Sequence, residues 1–229
     1  MAKHGEFSGN PITEWLVDPR GDDRDMKLME DFSFTDPKGK RWEAPKDSII
    51  NGASIPRALW AAVGSPFTDD YRRASVVHDV ACQRPGIVRK AADVMFYHAC
   101  RAGGCSAFQS RILYAGVRLG AWASTKNTAA AVTGKPLLMR SVMGAQAWEL
   151  DLQGKLAEIA REMGNLREEA SIAELDAVIR KHVKVPSNSI AKRRKAGKNN
   201  AQPRGGHPMT SLGRRQVQKR GIVKRKKSV

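Results

Sequence analysis

The sequence predicts an α+β protein: a small N-terminal antiparallel β-sheet or hairpin packed on a helical domain, followed by a helical hairpin and a disordered basic tail. Three observations predict this fold class. The first sixty residues alternate apolar and polar side chains between turn residues, as strands do. From residue 70 to residue 122 apolar side chains recur every three or four positions, as in helices. The last 45 residues contain 14 Lys and Arg, no Asp or Glu, and no apolar periodicity.

The N-terminal part contains a recognisable hairpin. Residues 31–35 alternate polar and apolar side chains, which predicts a half-buried strand. Residues 36–39, Asp-Pro-Lys-Gly, favour a turn, because Pro presets φ and Gly accepts a positive φ. Residues 41–45 then predict the partner strand, and residues 12–17 predict a third strand.

Three helices are expected between residues 70 and 122. Capping residues mark their ends: Asp69 or Asp70 before a helix to about residue 83, Gly103 and Gly104 after a helix from about residue 87, and Ser106 before the third helix. Their inward faces hold Tyr71, Ala74, Val77, His78 and Ala81, then Ala91, Ala92, Met95 and Ala99, then Phe108, Ile112, Ala115, Leu119 and Trp122. Gly116 and Gly120 lie one turn apart and are expected to permit close helix contact.

Composition divides the chain into an α+β domain (1–126), a small-residue linker (127–137), an amphipathic helical extension (138–184) and the basic tail (185–229). The extension has heptad-like spacing at Leu152, Leu156, Ile159, Met163 and Leu166. Fewer than two full heptads favour a helix docked on its own domain over a coiled coil, and self-association through residues 148–170 stays open. A capping box, Ser-Ile-Ala-Glu from Ser171 to Glu174, begins the last helix.

Composition also excludes several protein classes. A hydrophobic fraction of 41% allows a core, so the chain is not wholly disordered. No apolar run approaches 18 residues, which argues against a membrane-spanning helix, and the first residues do not resemble a secretory signal. Three cysteines are too few for a disulfide scaffold, so we expect a protein of the cytoplasm.

Residues 74–82 are the most unusual stretch, because His78 and Asp79 interrupt an otherwise small or apolar helix. Buried polar groups need partners, so one interpretation is structural: the pair braces the neighbouring β segment through side-chain to backbone bonds. A second is hydrolytic, with His78 as a general base held by Asp79 or Asp93 and with Ser54 or a water as nucleophile. Ser54 lies in the loop between strands and helices, although no G-x-S-x-G elbow surrounds it.

A third interpretation is a metal site. His78 and Cys82 are four residues apart on one helical face, and His98, Cys100 and Cys105 follow. A helix separates His98 from Cys100 by about 200°, so only one of them could reach a shared ion. His78 with Asp79 and Asp93 is the other option. Without a paired C-x-x-C, the sequence does not favour zinc, and we assign no metal ligands and no cofactor.

One order of residues carries a family resemblance: Asn51-Gly52-Ala53-Ser54-Ile55-Pro56-Arg57, then Trp60, Tyr71, Ala74, Val77-His78-Asp79, Ala92-Asp93 and Phe96. It resembles the family called domain of unknown function 1353, small proteins of tailed bacteriophages and prophages, over roughly residues 31–122. The resemblance implies a bacteriophage gene product and points to Ser54, His78, Asp79 and Asp93 as one cluster. The family pattern usually has Asp where this chain has Asn51, so one carboxylate is missing.

The basic tail suggests a polyanionic partner. A flexible polycation binds phosphate backbones by releasing counterions, and without Trp, Tyr or Phe the tail cannot stack on bases, so binding is expected to be nonspecific and salt-sensitive. The alternatives are an acidic phage protein or a bacterial membrane surface as the partner, or a solubilising tail that has no partner. The basic clusters of the tail are Lys192, Arg193, Arg194 and Lys195; Arg214 and Arg215; Lys219 and Arg220; and Lys224, Arg225, Lys226 and Lys227.

Two function classes follow. In the first, the chain is a bacteriophage accessory or virion-associated protein whose body docks to a partner while its tail binds nucleic acid. In the second, it is a hydrolase using Ser54, His78, Asp79 and Asp93, with or without a metal. The charge asymmetry favours the first, with the host cytoplasm or the virion as its location.

Overall fold

A computed structural model describes residues 2–17, 25–52, 54–64, 70–132 and 142–183. The α+β class is confirmed: short antiparallel strands occupy the N-terminal part, and helices follow from residue 57 onward in the described ranges. The basic tail and part of the predicted linker lie outside the described residues. Within the described ranges, no helix combines the length and the hydropathy needed to cross a membrane.

The strands form two three-stranded sheets. The strands are β1 (Glu6–Phe7), β2 (Thr13–Trp15), β3 (Met26–Leu28), β4 (Phe32–Thr35), β5 (Arg41–Ala44) and β6 (Ile49–Ile50). One sheet has the order β1-β4-β5 and the other β2-β3-β6, and every pairing is antiparallel. The predicted hairpin is confirmed as β4 and β5, whereas the predicted strand at 12–17 pairs with β3 in the second sheet.

Asp36 organises the hairpin turn. Its carboxylate accepts hydrogen bonds from the backbone N–H groups of Lys38 at 2.9 Å and Lys40 at 3.0 Å, which is the local bonding that makes Asp a turn residue. The other carboxylate oxygen accepts the indole N–H of Trp42 at 3.0 Å. Gly39 has φ of +79°, the conformation that the sequence expected of it.

Helices form the second half of the domain. A 3₁₀ turn (Arg57–Leu59) precedes α1 (Trp60–Val63), and five longer helices follow: α2 (Arg72–Gln83), α3 (Arg89–Gly103), α4 (Ala107–Val132), α5 (Val142–Gly164) and α6 (Ile172–His182). Helix α4 continues through residues 127–132, the first part of the predicted linker. The Ser171–Glu174 capping box is present with both of its hydrogen bonds.

The helix ends follow the sequence with one exception. Gly104 has φ of +116° after α3, and the Ser106 hydroxyl accepts the Gln109 N–H at 3.1 Å at the start of α4. The prediction that Asp70 caps α2 is wrong: the N-cap is Tyr71, which makes no side-chain capping bond, and Asp69 lies outside the described residues. The Asp70 carboxylate lies instead against Gly104.

Helix α5 is docked on its own domain, as the sequence favoured. Leu152, Leu156, Ile159 and Met163 are buried in the same core as the sheets and α2 to α4. Arg111 of α4 reinforces this contact, because its guanidinium donates to the backbone carbonyl of residue 163 in α5 and to those of residues 166, 167 and 168 in the loop that follows. The apolar face that would mediate self-association through residues 148–170 is therefore used within the chain.

Not every predicted inward side chain is buried. The side chain of Phe108, expected on the core face of α4, is 49% exposed, while Ile112, Ala115, Leu119 and Trp122 are buried. Phe108 lies in the first turn of α4, where the helix has only begun to enter the core.

Candidate functional site

Helix α2 places His78 at the centre of the domain. Residues 74–81 are all buried, because α2 packs on strands β4, β5 and β6 and on α3. A helix covered on nearly every face must satisfy any polar side chain internally. His78 is fully buried, and its ring lies 4.8 Å from the ring of Phe96, centroid to centroid.

Asp93 of α3 is the partner of His78. His78 Nε2 is 2.8 Å from Asp93 Oδ1, and both side chains have no exposed surface. Two guanidinium groups complete the contact: Arg89 Nε donates to Oδ1 at 3.0 Å, and Arg118 Nη1 of α4 donates to Oδ2 at 2.9 Å. One carboxylate therefore joins three helices. We call His78, Cys82, Arg89, Asp93 and Arg118 the Asp93 cluster.

The charges of the Asp93 cluster shift the pKa values of both Asp93 and His78. Burial by itself would raise the pKa of Asp93, but the hydrogen bond from His78 and the charges of Arg89 and Arg118 hold it below its ordinary value. Burial would lower the pKa of His78, but the neighbouring Cys82 sulfur and the Asp93 carboxylate raise it to about 9. At neutral pH His78 is an imidazolium, which can donate a proton but has no free lone pair with which to accept one.

Cys82 lies at the outer edge of the cluster. Its Sγ is 3.5 Å from His78 Nε2 and 3.8 Å from Nδ1, and it is partly exposed. Among the described residues, His78, Cys82 and Asp93 are the group whose ligand atoms could share an ion, all within 4.8 Å of one another. A divalent cation would meet two guanidinium groups there, and both oxygens of Asp93 already accept hydrogen bonds. The donor set therefore fits a metal poorly.

The other residues weighed as zinc ligands lie elsewhere. Cys100 and Cys105 are buried beside each other, and burial together with the Cys105 contact holds the pKa of Cys100 well above its ordinary value. His98 stacks on His4 with ring centroids 6.1 Å apart. The side chains of His98 and Cys100 thus point to different sides of α3 and have different partners, as the sequence predicts.

Asp79 points to a different partner from that of His78. Its Oδ2 accepts the backbone N–H of Asn51 at 2.6 Å, just after β6. This is the side-chain to backbone bracing of a β segment that the structural interpretation expected, and Asp79 is the residue that provides it. The carboxylate that orients His78 is Asp93, not Asp79.

Ser54 contacts α4 away from the Asp93 cluster. The Ser54 carbonyl lies so close to Gly120 that a methyl group there would overlap it, and the Ile55 side chain packs 3.4 Å from where a Cβ of Gly116 would be. Gly116 and Gly120 thus admit this loop rather than another helix. Arg118 lies between them, about 200° around α4 from Gly120, so Ser54 and Asp93 meet different sides of that helix.

Two members of the cluster were missed by sequence reasoning. Arg89 lies four residues before Asp93 on the same helical face, a spacing that predicts an ion pair. Arg118 is the only charged side chain between residues 112 and 122, a stretch that is otherwise apolar or small. A lone charge in such a stretch needs a buried partner, and that signal could have identified it.

The tail residues proposed to bind nucleic acid, from Lys192 to Lys227, lie outside the described residues. Their assignment stays a prediction.

Comparison with known proteins gives two relatives from Sinorhizobium fredii (strain NBRC 101917 / NGR234). The chain is 35% identical to "Uncharacterized protein y4jT" over 111 residues, 48% of this chain and 32% of that protein. It is 31% identical to "Uncharacterized protein y4iH" over 163 residues, 71% of this chain and 64% of that protein. The matches thus span about a third of the first relative and less than two thirds of the second. No solved structure matches the chain.

The family comparison covers four of the five members of the Asp93 cluster, because the matched stretch ends one residue before Arg118. The matched stretch runs from strand β3 through the first eleven residues of α4 and overlaps the resemblance noted at residues 31–122. Residues 26–117 match the model of the family described as "Protein of unknown function (DUF1353)", and over this stretch the chain is similar to that family.

Proposed function

We propose that this chain is a bacteriophage-encoded accessory or virion-associated protein, with a globular body that docks to a partner and a basic tail that binds nucleic acid nonspecifically. The observation that carries the proposal is charge segregation. The basic tail holds 14 Lys and Arg and no acidic residue, whereas the other 184 residues hold 26 basic and 23 acidic side chains. Such a polycation gains affinity for phosphates from released counterions.

The site geometry supports binding over hydrolysis. His78 and Asp93 are fully buried, and an imidazolium with a pKa of about 9 is a poor general base at neutral pH. Ser54 contacts the opposite side of α4 from the guanidinium that holds Asp93. The Asp93 cluster is best understood as an ion-pair network that holds α2, α3 and α4 together, which leaves the hydrolase alternative with weaker support.

The first experiment measures duplex DNA binding by fluorescence anisotropy at several salt concentrations. The full chain should bind with a steep salt dependence, and a chain lacking residues 187–229 should not bind. Replacing Lys192, Arg193, Arg194 and Lys195 with Gln should reduce the slope of log K against log salt by up to about 3.6, since each phosphate contact contributes about 0.9.

The matched control replaces Arg161 and Arg180, two exposed arginines of α5 and α6, with Gln. This variant should show the same slope of log K against log salt as the full chain. Binding that survives removal of residues 187–229 would overturn the tail assignment. Polyglutamate that competes as well as DNA would favour an acidic protein as the partner instead.

The phage part of the proposal has its own test. Mass spectrometry of purified phage particles from a strain that carries this gene should detect the protein if it is virion-associated. Its absence from the particles, together with its presence in the infected cell, would assign it to the accessory proteins of the cytoplasm. Expression unconnected with phage induction would contradict the phage origin.

A further inference from the structure

A cavity of about 640 Å³ lies between strand β2 and the start of helix α2. This volume is in the range that accommodates a small molecule or one residue of a polymer. Its walls come from β2, from the Met26 position of β3, and from the first turns of α2. None of the five members of the Asp93 cluster lines this cavity, so it is a separate feature of the described part of the chain.

Trp15 forms an aromatic wall of the cavity. The Trp15 side chain is 63% exposed, while Trp42 and Trp122 are 6% and 8% exposed. It lies at the end of β2, an edge strand, opposite the buried Met26 in register. An indole held by a strand and open to solvent offers a flat, rigid face to another ring.

Arg72 and Arg73 form a cationic wall. The Arg73 guanidinium lies over the ring of Phe7, 4.5 Å from its centroid, which holds it in place without neutralising it. Within the described ranges neither guanidinium forms an ion pair. Glu14, the neighbour of Trp15 on β2, points to the other face of the strand and pairs with Lys27 at 3.5 Å.

Polar groups complete the lining. Asn10 and Thr13 can donate and accept hydrogen bonds, and the Asp70 carboxylate can only accept them. An anion bound by the arginines would have to keep away from Asp70, whose carboxyl group lies against Gly104. A ligand that suits this lining therefore has a planar ring, an anionic group and hydrogen-bond donors.

We propose that this cavity binds one nucleotide of a single-stranded nucleic acid, with the base stacked on Trp15 and the phosphate bound by Arg72 and Arg73. The inference rests on the proposed function, in which the basic tail binds nucleic acid without any aromatic residue of its own. The body supplies the stacking surface that the tail lacks. Because a base must leave its duplex to stack on a side chain, the cavity makes the full chain prefer single strands.

The test compares the affinities of the full chain for a fluorescent oligothymidylate and for a duplex of equal length at one salt concentration. Trp15→Ala should weaken single-strand binding about 5- to 150-fold, the range of a lost base stack, and leave duplex binding unchanged. Arg72→Gln with Arg73→Gln should weaken single-strand binding as well. Phe108→Ala, which removes another exposed aromatic outside the cavity, is the matched control and should have no effect.

A second measurement separates the cavity from the tail. Thymidine monophosphate titrated into the full chain should quench tryptophan fluorescence saturably, and Trp15→Ala should abolish the quenching while the melting temperature stays the same. Equal affinity of wild type and Trp15→Ala for single strands, together with no quenching, would overturn the cavity proposal. Quenching without any tail-dependent DNA binding would instead contradict the proposed function and leave a site for free nucleotides.

Discussion

The burial of His78 in the apolar helix α2 is explained by its contact with Asp93, fifteen residues later in the chain. A buried imidazolium or guanidinium is costly when unpaired, and a buried carboxylate is costly in the same way. In the Asp93 cluster each oxygen of one carboxylate meets a cation, with His78 and Arg89 on Oδ1 and Arg118 on Oδ2. Each of the three cations thus has an anionic partner and the Asp93 charge is compensated, while the cluster keeps a net charge of +2.

This arrangement predicts how stability depends on pH. The pKa of His78 is raised from 6.5 to about 9 on folding, so the folded protein binds the proton more tightly. The stabilisation is complete below pH 6.5 and is lost as pH rises toward 9. We expect the free energy of unfolding to fall by about 2 kcal/mol between pH 6.5 and 8.5, measured by urea denaturation.

His78→Gln is the control, because it removes the titrating group and should remove most of this dependence. The window ends at pH 8.5 because ionisation of other groups, such as the buried Cys100 thiol with its raised pKa, adds a further loss at higher pH. If the variant does not fold, the His78 imidazole signal in wild-type NMR spectra should still report a protonated ring at pH 8. A free energy that is constant or rises over this window would contradict the cluster's electrostatics.

Helix α4 combines two functions that a single amphipathic stripe would not reveal. One side carries Arg118 into the Asp93 cluster, and the opposite side carries Gly116 and Gly120 against the Ser54 loop. Residues 110–123 are buried on every face, because α3, α5 and α1 also pack on this helix. Its central position explains why a small residue is required where the loop backbone crosses.

Two glycine substitutions should therefore have opposite effects. Gly120→Ala places a methyl group on the Ser54 carbonyl, a backbone group that cannot turn away, so we expect a loss of about 1–3 kcal/mol in unfolding free energy. Gly154→Ala in α5 meets no atom within 4 Å and should stabilise by up to about 1 kcal/mol, because Ala favours helix. Urea denaturation of both variants checks the pair. Stabilisation by Gly120→Ala would show that the loop does not lie on α4.

At the scale of the whole molecule, a nearly neutral folded body is joined to a basic tail. One hydrophobic core runs from the strands to α6, so residues 2–183 contain the stabilising contacts described above. The relatives match 111 and 163 residues of this chain at 35% and 31% identity. The charge of the tail is known from the sequence, because the tail lies outside the described residues.

Removal of residues 187–229 should consequently leave the body intact. We expect the melting temperature by circular dichroism to change by less than about 2 °C, the size of a surface effect in a domain of this length. The same deletion should remove salt-dependent binding of duplex DNA. A decrease of more than about 5 °C would mean that the tail contributes to the folded core.

Most of the fold follows from short-range patterns. The hairpin at β4 and β5, the Gly104 stop, the Ser106 cap and the Ser171 capping box were all predictable, because each depends on residues within a few positions of one another. The missing side-chain cap of α2 and the exposure of Phe108 were not predictable. Neighbouring segments decide whether a capping bond can form and whether a helix face is covered.

Composition and periodicity are local quantities, and they predict the α+β class, the helix spacing and the separation of charge. They favour docking of α5 on its own domain over self-association, and the shared core confirms that docking. Four tertiary contacts do not follow from these patterns: His78 with Asp93, Arg118 with Asp93, Asp79 with Asn51, and the Ser54 backbone with α4. These contacts join residues 15 to 66 positions apart, as from His78 to Asp93 and from Ser54 to Gly120. They depend on how helices cross and which turn faces which loop, and no local pattern encodes that geometry.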